Sequence, residues 1–586
     1  MVPIAPPRKP TPSALQVALR DASAAYQQGE LALAARGLDG ILVKQPGQPQ
    51  ALHLRGMVAR RLGDLDTALG WLRAAAEAAP SDAGVRANLA RALLDAGQAE
   101  EAATAARAAL QRDPRLVAAH NNLGMALREQ GRFADAIAAY RDGLALGPAP
   151  AELHNNLGNA LAAAQRFAEA VAEYRAAVAR QPDYAEAWAN LALALIDLDD
   201  LAGAQAAAEH GARLRPAAAD TLYALGCVRL EKGDIAGAED ALRRSLRAAP
   251  GHAGARRQLA MALVAGQNPG AAADILLEPV RQLRALDAPA NHPSFQRISR
   301  PKLLHDAAQL DHMAAQGVPA LARHAGAPAA FRAAADHLQD DATHPMTAVP
   351  PAPELAALYN RLLHLEVAAE VPGGALNGDL DWAAIEARFL AVAPGHVTFD
   401  DFLNAEALAR LQRFCLLSMI WYQLDFPSEV GASMANGFAT PLLFQIAANL
   451  RERMPRVFGP HQLTSCWAYR YLADGSGLDL HIDAATVSLN FWVTPDSANK
   501  DPARGGLELW NRAGPADFFS RPLEEKVAIL RRITEEPGAR AERVAYRCNR
   551  AIVFRSTSIH RTDAFSFHTD FASRRTNVTF LFGRPR

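Results

Sequence analysis

Tyr471-Leu-Ala-Asp-Gly-Ser-Gly-Leu-Asp-Leu-His481-Ile-Asp483 is the stretch from which the rest of the chain can be ordered. A Gly-rich turn separates an aromatic position from a His-x-Asp pair. Downstream come Asn490 in an apolar run, Gly505-Gly506, the strand-like Ala551-Ile-Val-Phe554, His560, and Arg575-Thr-Asn577-Val-Thr579. Two imidazoles and one carboxylate form the donor set that holds one face of a non-haem Fe(II) and leaves the opposite positions open. His-x-Asp alone is a weak signal, and His568-Thr-Asp570 repeats it. The first pair follows a turn between strands and leaves chain enough for a third ligand. The second is followed by no further histidine. His481 and Asp483 are therefore the expected ligands. His560, just past the apolar strand, is the expected third, with His568 in the polar insert 561–573 as its competitor.

The surroundings read as β-structure. Segments 467–472, 486–493, 507–510, 544–546, 551–555 and 577–582 are rich in aromatic and β-branched residues. A short strand near 397–403 leads into a helix over 405–422, a second helix spans 441–454, and 521–535 is a helical insertion. Helices followed by many short strands suit a double-stranded β-helix, or jelly roll.

Upstream the chain is periodic. Pro46, Pro80, Pro114, Pro148, Pro182, Pro216 and Pro250 lie 34 residues apart. Gly56, Ala90, Gly124, Gly158, Ala192 and Gly226 recur in phase, as do Ala68, Ala102, Ala136, Ala170, Ala204 and Ala238. Small residues let paired helices approach, and Pro ends the second helix. Gly63, Gly97, Gly131 and Gly233 suit a left-handed turn between them, where Gln165 and Asp199 depart from the pattern. The period resembles the tetratricopeptide repeat, a helix-turn-helix that buries its apolar face only by stacking. Seven repeats are expected from about residue 13 to Pro250, with 251–267 opening a further helix or cap.

Asn88, Asn122, Asn156 and Asn190 share one position of the first repeat helix, and Ala224 breaks the series. The position is similar to that of the asparagine ladder in the repeat superhelix of protein O-GlcNAc transferases. An amide row can hold an extended peptide backbone, since each amide donates and accepts. The bland alternative is that these residues simply face water.

The C-terminal part, from about 397 to the end, resembles the Fe(II)/2-oxoglutarate-dependent dioxygenases, closest to their prolyl-4-hydroxylase-like branch. The motifs that carry the resemblance are 471–483, Gly505-Gly506-Leu507, Asn549-Arg-Ala-Ile-Val-Phe554 and Arg575-x-Asn577-x-Thr579. It implies Fe(II) on His481, Asp483 and His560. It also implies 2-oxoglutarate as co-substrate with its distal carboxylate on Arg575, O2 as oxidant, and ascorbate as a candidate reductant. Arg574 then points outward. Tyr471 is expected to donate its hydroxyl to the co-substrate, or else to be a packed aromatic. Asn490 and Asn577 lie along the same interior, with a purely structural role open for Asn490. Nucleobase demethylases share Arg575-x-Asn577-x-Thr579-Phe580 but usually carry an arginine next, where this chain has Leu581.

The expected organisation is multidomain: a tail over 1–12, an all-α tetratricopeptide superhelix over 13–267, a helical bridge with loops over 268–396, and a jelly-roll oxygenase domain with flanking helices over 397–586. His292, His305, His312, His324, His337 and His344 are scattered through the bridge without ligand spacing. The formal net charge of -1 offers no field for nucleic acid or an anionic membrane. The four cysteines form no C-x-x-C pair, which fits a reducing, cytoplasmic compartment. Three functions stay open: hydroxylation of a protein or peptide recruited by the repeats, oxygenation of a small molecule or glycan with the repeats used for oligomerisation, and a non-catalytic interaction scaffold.

Overall fold

The computed structural model describes residues 13–584 apart from 149, 290–294, 340–341, 394, 424–428, 476, 516–517 and 522. The tail over 1–12, His292 and Ser476 of the Gly-rich turn lie outside the described residues. The chain forms two compact units, Met1–Pro216 and Ala217–Arg586.

The first unit is built of antiparallel helix pairs such as Val117–Glu129 with Phe133–Ala145. The in-phase small residues are required by close approach. A Cβ on Gly124 would lie 2.5 Å from the Tyr140 ring, on Gly158 2.6 Å from Tyr174, and on Gly56 2.6 Å from Leu72. Each partner is 16 residues on. Where the position holds Ala90 or Ala192, the residue 16 on is Ala106 or Ala208. The volume at the crossing is thus shared between the two helices: glycine opposite a large side chain, alanine opposite alanine. Gly63, Gly97 and Gly131 take φ of 82°, 72° and 73° at the turns. Gln165 and Asp199 keep the same left-handed backbone, with φ of 59° and 60°. Helix packing therefore imposes the turn even where the residue resists it, at roughly 1–2 kcal/mol each.

The second unit starts with two more helix pairs, Ala219–Glu231 with Ile235–Ala248 and Ala253–Ala265 with Pro269–Arg284. One continuous apolar core joins these to the rest of the unit. It holds Leu230, Leu242, Leu259 and Leu276 together with Phe414, Leu442, Phe491 and Phe580. The helix Pro269–Arg284 packs directly on Pro441–Arg453, and Arg584 pairs with Glu231 at 2.8 Å. A smaller core under helices Arg300–Ala315 and Ala327–Asp336 contains Leu303, Phe331 and Tyr359. Beside it β1 (Arg297–Ile298) pairs with β2 (His344–Pro345).

The remaining strands are β3 (His396–Phe399), β4 (Glu429–Ser433), β5 (Leu463–Tyr471), β6 (Val487–Trp492), β7 (Leu507–Ala513), β8 (Ala541–Val544), β9 (Ala551–Arg555), β10 (Ser558–Thr562) and β11 (Thr576–Phe582). They form a six-stranded antiparallel sheet, β3-β9-β6-β11-β5-β4, and a three-stranded one, β10-β7-β8. Tyr471, Trp492, Ile552 and Phe554 of the larger sheet share an apolar cluster with Leu507, Leu509 and Val544 of the smaller, closed by Phe565 and Phe567. The expected helix over 405–422 ends at Leu417. There Ser418 turns extended, its hydroxyl accepts from the Glu366 N–H, and Met419 N–H bonds the His364 carbonyl. The 544–546 strand is instead Ala541–Val544, set by pairing with β7. Strands β4 and β10 carry no strong apolar alternation and owe their conformation to β5 and β7. Among the described residues no helix is long and apolar enough to cross a membrane.

Candidate metal centre

His481, Asp483 and His560 come together, one ligand atom from each lying within 4.8 Å of the others. The backbone brings this about. The amides of His481 and His560 each donate to the other's carbonyl at 3.0 Å, so residue 481 extends the free edge of β10. The two imidazoles then stand with ring centroids 4.1 Å apart. Asp483 is fixed by its own N–H, which donates to the Ser556 carbonyl at 3.0 Å. The Ser488 hydroxyl donates to Asp483 Oδ2 at 2.6 Å and meets the Ser556 hydroxyl at 2.8 Å.

Both histidines are oriented by main-chain acceptors. His481 Nδ1 is 2.7 Å from the Asp479 carbonyl, and His560 Nδ1 is 3.0 Å from the Ser558 carbonyl. A carbonyl only accepts, so each Nδ1 carries the hydrogen and each Nε2 keeps its lone pair. Burial, then the neighbouring His481 ring, pushes the His560 pKa down to about 4. It is neutral at pH 7, as a ligand must be. Two imidazoles whose Nδ1 atoms are already engaged and a hydrogen-bonded carboxylate, converging on one point, could hold a divalent metal ion on one face.

Arg575 is 2% exposed just before β11. Its Nε donates to the Gly505 carbonyl at 2.7 Å and its Nη2 to the Gly506 carbonyl at 3.2 Å, while Nη1 has no hydrogen-bond partner among the described residues. The guanidinium sits 4.8 Å from the Tyr471 ring centroid and 5.1 Å from that of Phe565. A buried cation with an idle N–H and no carboxylate bonded to it among the described residues fits a ligand's carboxylate. The Tyr471 hydroxyl is 3.5 Å from Thr562 Oγ1, and burial pushes its pKa up to about 12, so it stays a donor. Thr579 and Asn490 are register partners on β11 and β6, as are Asn577 and Trp492. Oδ1 of Asn490, Oδ1 of Asn577 and Nε1 of Trp492 are buried with no hydrogen-bond partner among the described residues. A pocket opens on Tyr471, Phe565 and Arg575, with Asp474, His568 and Arg574 at its rim.

His568 is exposed and stands outside the triad. Arg574 leaves the Arg575 side as expected, but it meets protein rather than water: its Nη1 lies 3.1 Å from His305 Nδ1, and its guanidinium is 5.7 Å from the Phe571 ring. Arg470 is the missed residue of this layer. It is buried between Trp421 and Phe571, and burial, then Arg574, lowers its pKa to about 9. Ser488 was missed too, although it shares a strand face with Asn490 and could have been found from that alternation.

The in-phase asparagines are used within the repeats. Nδ2 of Asn88 meets His53 Nε2 at 2.8 Å. Nδ2 of Asn122 donates to the Ala87 carbonyl, of Asn156 to Asn121 Oδ1, and of Asn190 to Asn155 Oδ1, at 2.8 to 3.0 Å. Each bond reaches 35 residues back to the first helix of the preceding repeat. The row facing water is therefore corrected: Asn122 and Asn156 are buried. The helices are close enough here that an amide spans them.

Models of the tetratricopeptide repeat match residues 19–83, 88–150 and 223–283, and related repeat models match 158–199 and 185–217. The N-terminal region through residue 283 is thus an array of tetratricopeptide repeats. Similar solved structures include a chain of the APC/C hetero-tetramer Cut9–Hcn1, at 20% identity and TM-score 0.38. That match covers 42% of this chain and 49% of that one, so the chain spans about half of its length. A repeat protein from Parabacteroides merdae is 15% identical with TM-score 0.37, over 42% of this chain and 98% of its own. Pseudomonas aeruginosa PilF is 22% identical with TM-score 0.32, over 36% and 95%. No curated protein matches the chain.

Proposed function

We propose that the second unit is an Fe(II)- and 2-oxoglutarate-dependent oxygenase of the prolyl-4-hydroxylase-like kind, acting on a protein or peptide that the repeats recruit. The observation that carries this is the convergence of His481, Asp483 and His560 with both Nε2 atoms free. The strand order supports a jelly roll beneath it. In the larger sheet β5-β11-β6-β9 are neighbours, and in the smaller the residue 481 segment, β10, β7 and β8 follow one another.

His481, Asp483 and His560 would hold the metal. Arg575 would bind the distal carboxylate of 2-oxoglutarate through its idle Nη1, and Tyr471 would donate a hydrogen bond from the barrel wall. Ser488 would keep Asp483 oriented by donating to its Oδ2. Phe565, Phe567 and Trp492 exclude water from the interior, which strengthens each of these contacts. Bound there, Fe(II) and 2-oxoglutarate would supply insertion of one atom of O2 into a substrate C–H bond, the other entering succinate as 2-oxoglutarate loses CO2.

Tetratricopeptide repeats by themselves support a protein-interaction scaffold, and this second reading needs no catalysis. Succinate formation from 2-oxoglutarate under added Fe(II) separates the two. Wild type is expected to make succinate, and His481→Ala, Asp483→Ala and His560→Ala to make none, with His568→Ala unaffected. A wild-type protein that neither binds Fe(II) nor makes succinate would leave the scaffold.

A further inference from the structure

The insertion between β7 and β8 carries a helix, Leu523–Thr534, which packs on Trp510 of β7 and Ile559 of β10, apart from the Leu507 and Leu509 cluster on the other face of the smaller sheet. Its Leu530 is fully buried in a cluster with Leu480, Ile482, Trp510, Phe518 and Ile559. Three of these are chain neighbours of the ligands. Leu480 and Ile482 flank His481, Ile482 also precedes Asp483, and Ile559 precedes His560. Successive side chains of an extended chain point to opposite faces, so residues that pack under the helix fix the direction of those that point at the metal.

Two further contacts make the same connection. Arg531 of the helix bonds Asp479 Oδ2 at 2.8 Å, and it is the Asp479 carbonyl that orients His481 through Nδ1. Where the chain leaves β7 for the insertion, a Cβ on Gly514 would stand 2.8 Å from Ile482 Cδ1. The insertion therefore packs on chain neighbours of all three ligands through apolar side chains, and through the Asp479 carboxylate it holds the residue whose carbonyl orients His481.

We infer that the helix Leu523–Thr534 is a clamp that positions the triad from behind, with Leu530 as its central positioning residue, so that metal affinity is set by the seating of this helix. The inference rests on the assignment of the triad as a metal site. Residues that orient ligands without touching the metal commonly change affinity 10- to 100-fold, and Leu530 acts on all three ligands at once.

The test is a Co(II) titration of the metal-free full-length protein, followed by the visible absorption of the bound ion and paired with thermal unfolding. Wild type should bind one Co(II), lost in His481→Ala. Leu530→Ala should raise the Kd at least tenfold, and Leu530→Met, which restores the volume, should return it to within about threefold. Leu303→Ala, an equally buried truncation in the separate core beside Phe331, should lower stability and leave the Kd unchanged. Arg531→Glu is exposed enough to fold regardless. It should weaken binding by a few-fold, the scale of an exposed pair, and it decides the matter should Leu530→Ala not fold. Wild-type Kd in folded Leu530→Ala, or in Arg531→Glu when only that variant folds, overturns the clamp while the metal site stands. Absence of His481-dependent Co(II) binding in wild type overturns the metal site itself, and the clamp with it.

Discussion

The repeats and the two-sheet region of the second unit treat their buried polar groups in opposite ways. In the first unit Asn122, Asn156 and Asn190 occupy positions suited to a ligand, yet their amides are bonded to the neighbouring repeat. Between the two sheets, Nη1 of Arg575, Oδ1 of Asn490 and Oδ1 of Asn577 are also buried and have no hydrogen-bond partner among the described residues. An unmade hydrogen bond on a buried group costs about 1–3 kcal/mol. A fold keeps several such groups together only where something else completes them. The repeats' amides therefore each have a protein partner, whereas the polar atoms between the two sheets keep bonding capacity that a ligand could complete.

The largest expected effect concerns where the second unit begins. A chain starting at Ala217 should fold and retain Co(II) binding, because the core from Leu230 to Phe582 is intact. A chain starting at Val397 should fail to fold. It lacks Leu230, Leu242, Leu259, Leu276 and Leu277, each contributing about 1.5–3 kcal/mol of burial against a net stability of roughly 5–15 kcal/mol. Circular dichroism and thermal melts of the two chains decide this. A cooperative melt from the shorter chain would make the last repeats a detachable arm.

Next in size is the contrast between adjacent arginines. Arg575→Ala should raise the apparent KM for 2-oxoglutarate about 10- to 150-fold, the roughly 1.5–3 kcal/mol of a charge-assisted hydrogen bond from Nη1. Arg574 is engaged with His305 and Phe571, so Arg574→Ala should change it only a few-fold. Equal effects in steady-state kinetics would move the carboxylate site to the rim of the pocket.

A smaller effect tests the shared volume of the repeats. Gly124→Ala places a methyl 2.5 Å from Tyr140 and should cost about 1–3 kcal/mol in urea unfolding. Combined with Tyr140→Ala, it recreates the Ala90/Ala106 pairing. The double variant should then be less destabilised than the sum of the singles by about 1 kcal/mol or more. Additive losses would mean that the two positions do not share space.

Much of this was legible in the sequence because repeats are local. A 34-residue period needs only the spacing of Gly, Ala and Pro, and Gln165 and Asp199 obey it despite their chemistry. The His481–Asp483 pair, which the fold brings to His560, and the buried Arg575 stood out as motifs. Strand β10 was not, since its Ser-Ile-His-Arg-Thr carries no clean alternation, and its pairing with β7 spans some 50 residues. The helix end at Leu417 was hidden for a related reason. Residues 419–421 are buried by contacts from elsewhere, so the apolar run continues past the point where Ser418 leaves the helix. The burial of Arg574 against His305 joins residues 269 apart in the chain. Polar partners at that distance leave no trace in either local pattern.

The asparagine row gives the smallest effect and sharpens the comparison most. Asn122 is buried, and its amide reaches the Ala87 carbonyl of the preceding repeat, so Asn122→Ala should destabilise the first unit by about 1 kcal/mol. Asn88, half-buried and bonded to His53, should cost less, about 0.5 kcal/mol. A spacer between helices predicts this grading with burial, read from urea midpoints of the four single Ala variants. A ligand ladder predicts something else: little or no stability loss at any of the four, and progressive loss of captured polypeptide as they accumulate. The quadruple variant separates the two in one measurement. An amide already donating 35 residues back has one N–H and one carbonyl left to offer. Recruitment that survives the quadruple change would therefore put the polypeptide on other side chains of the repeats and leave the asparagines as the struts that set the helix spacing.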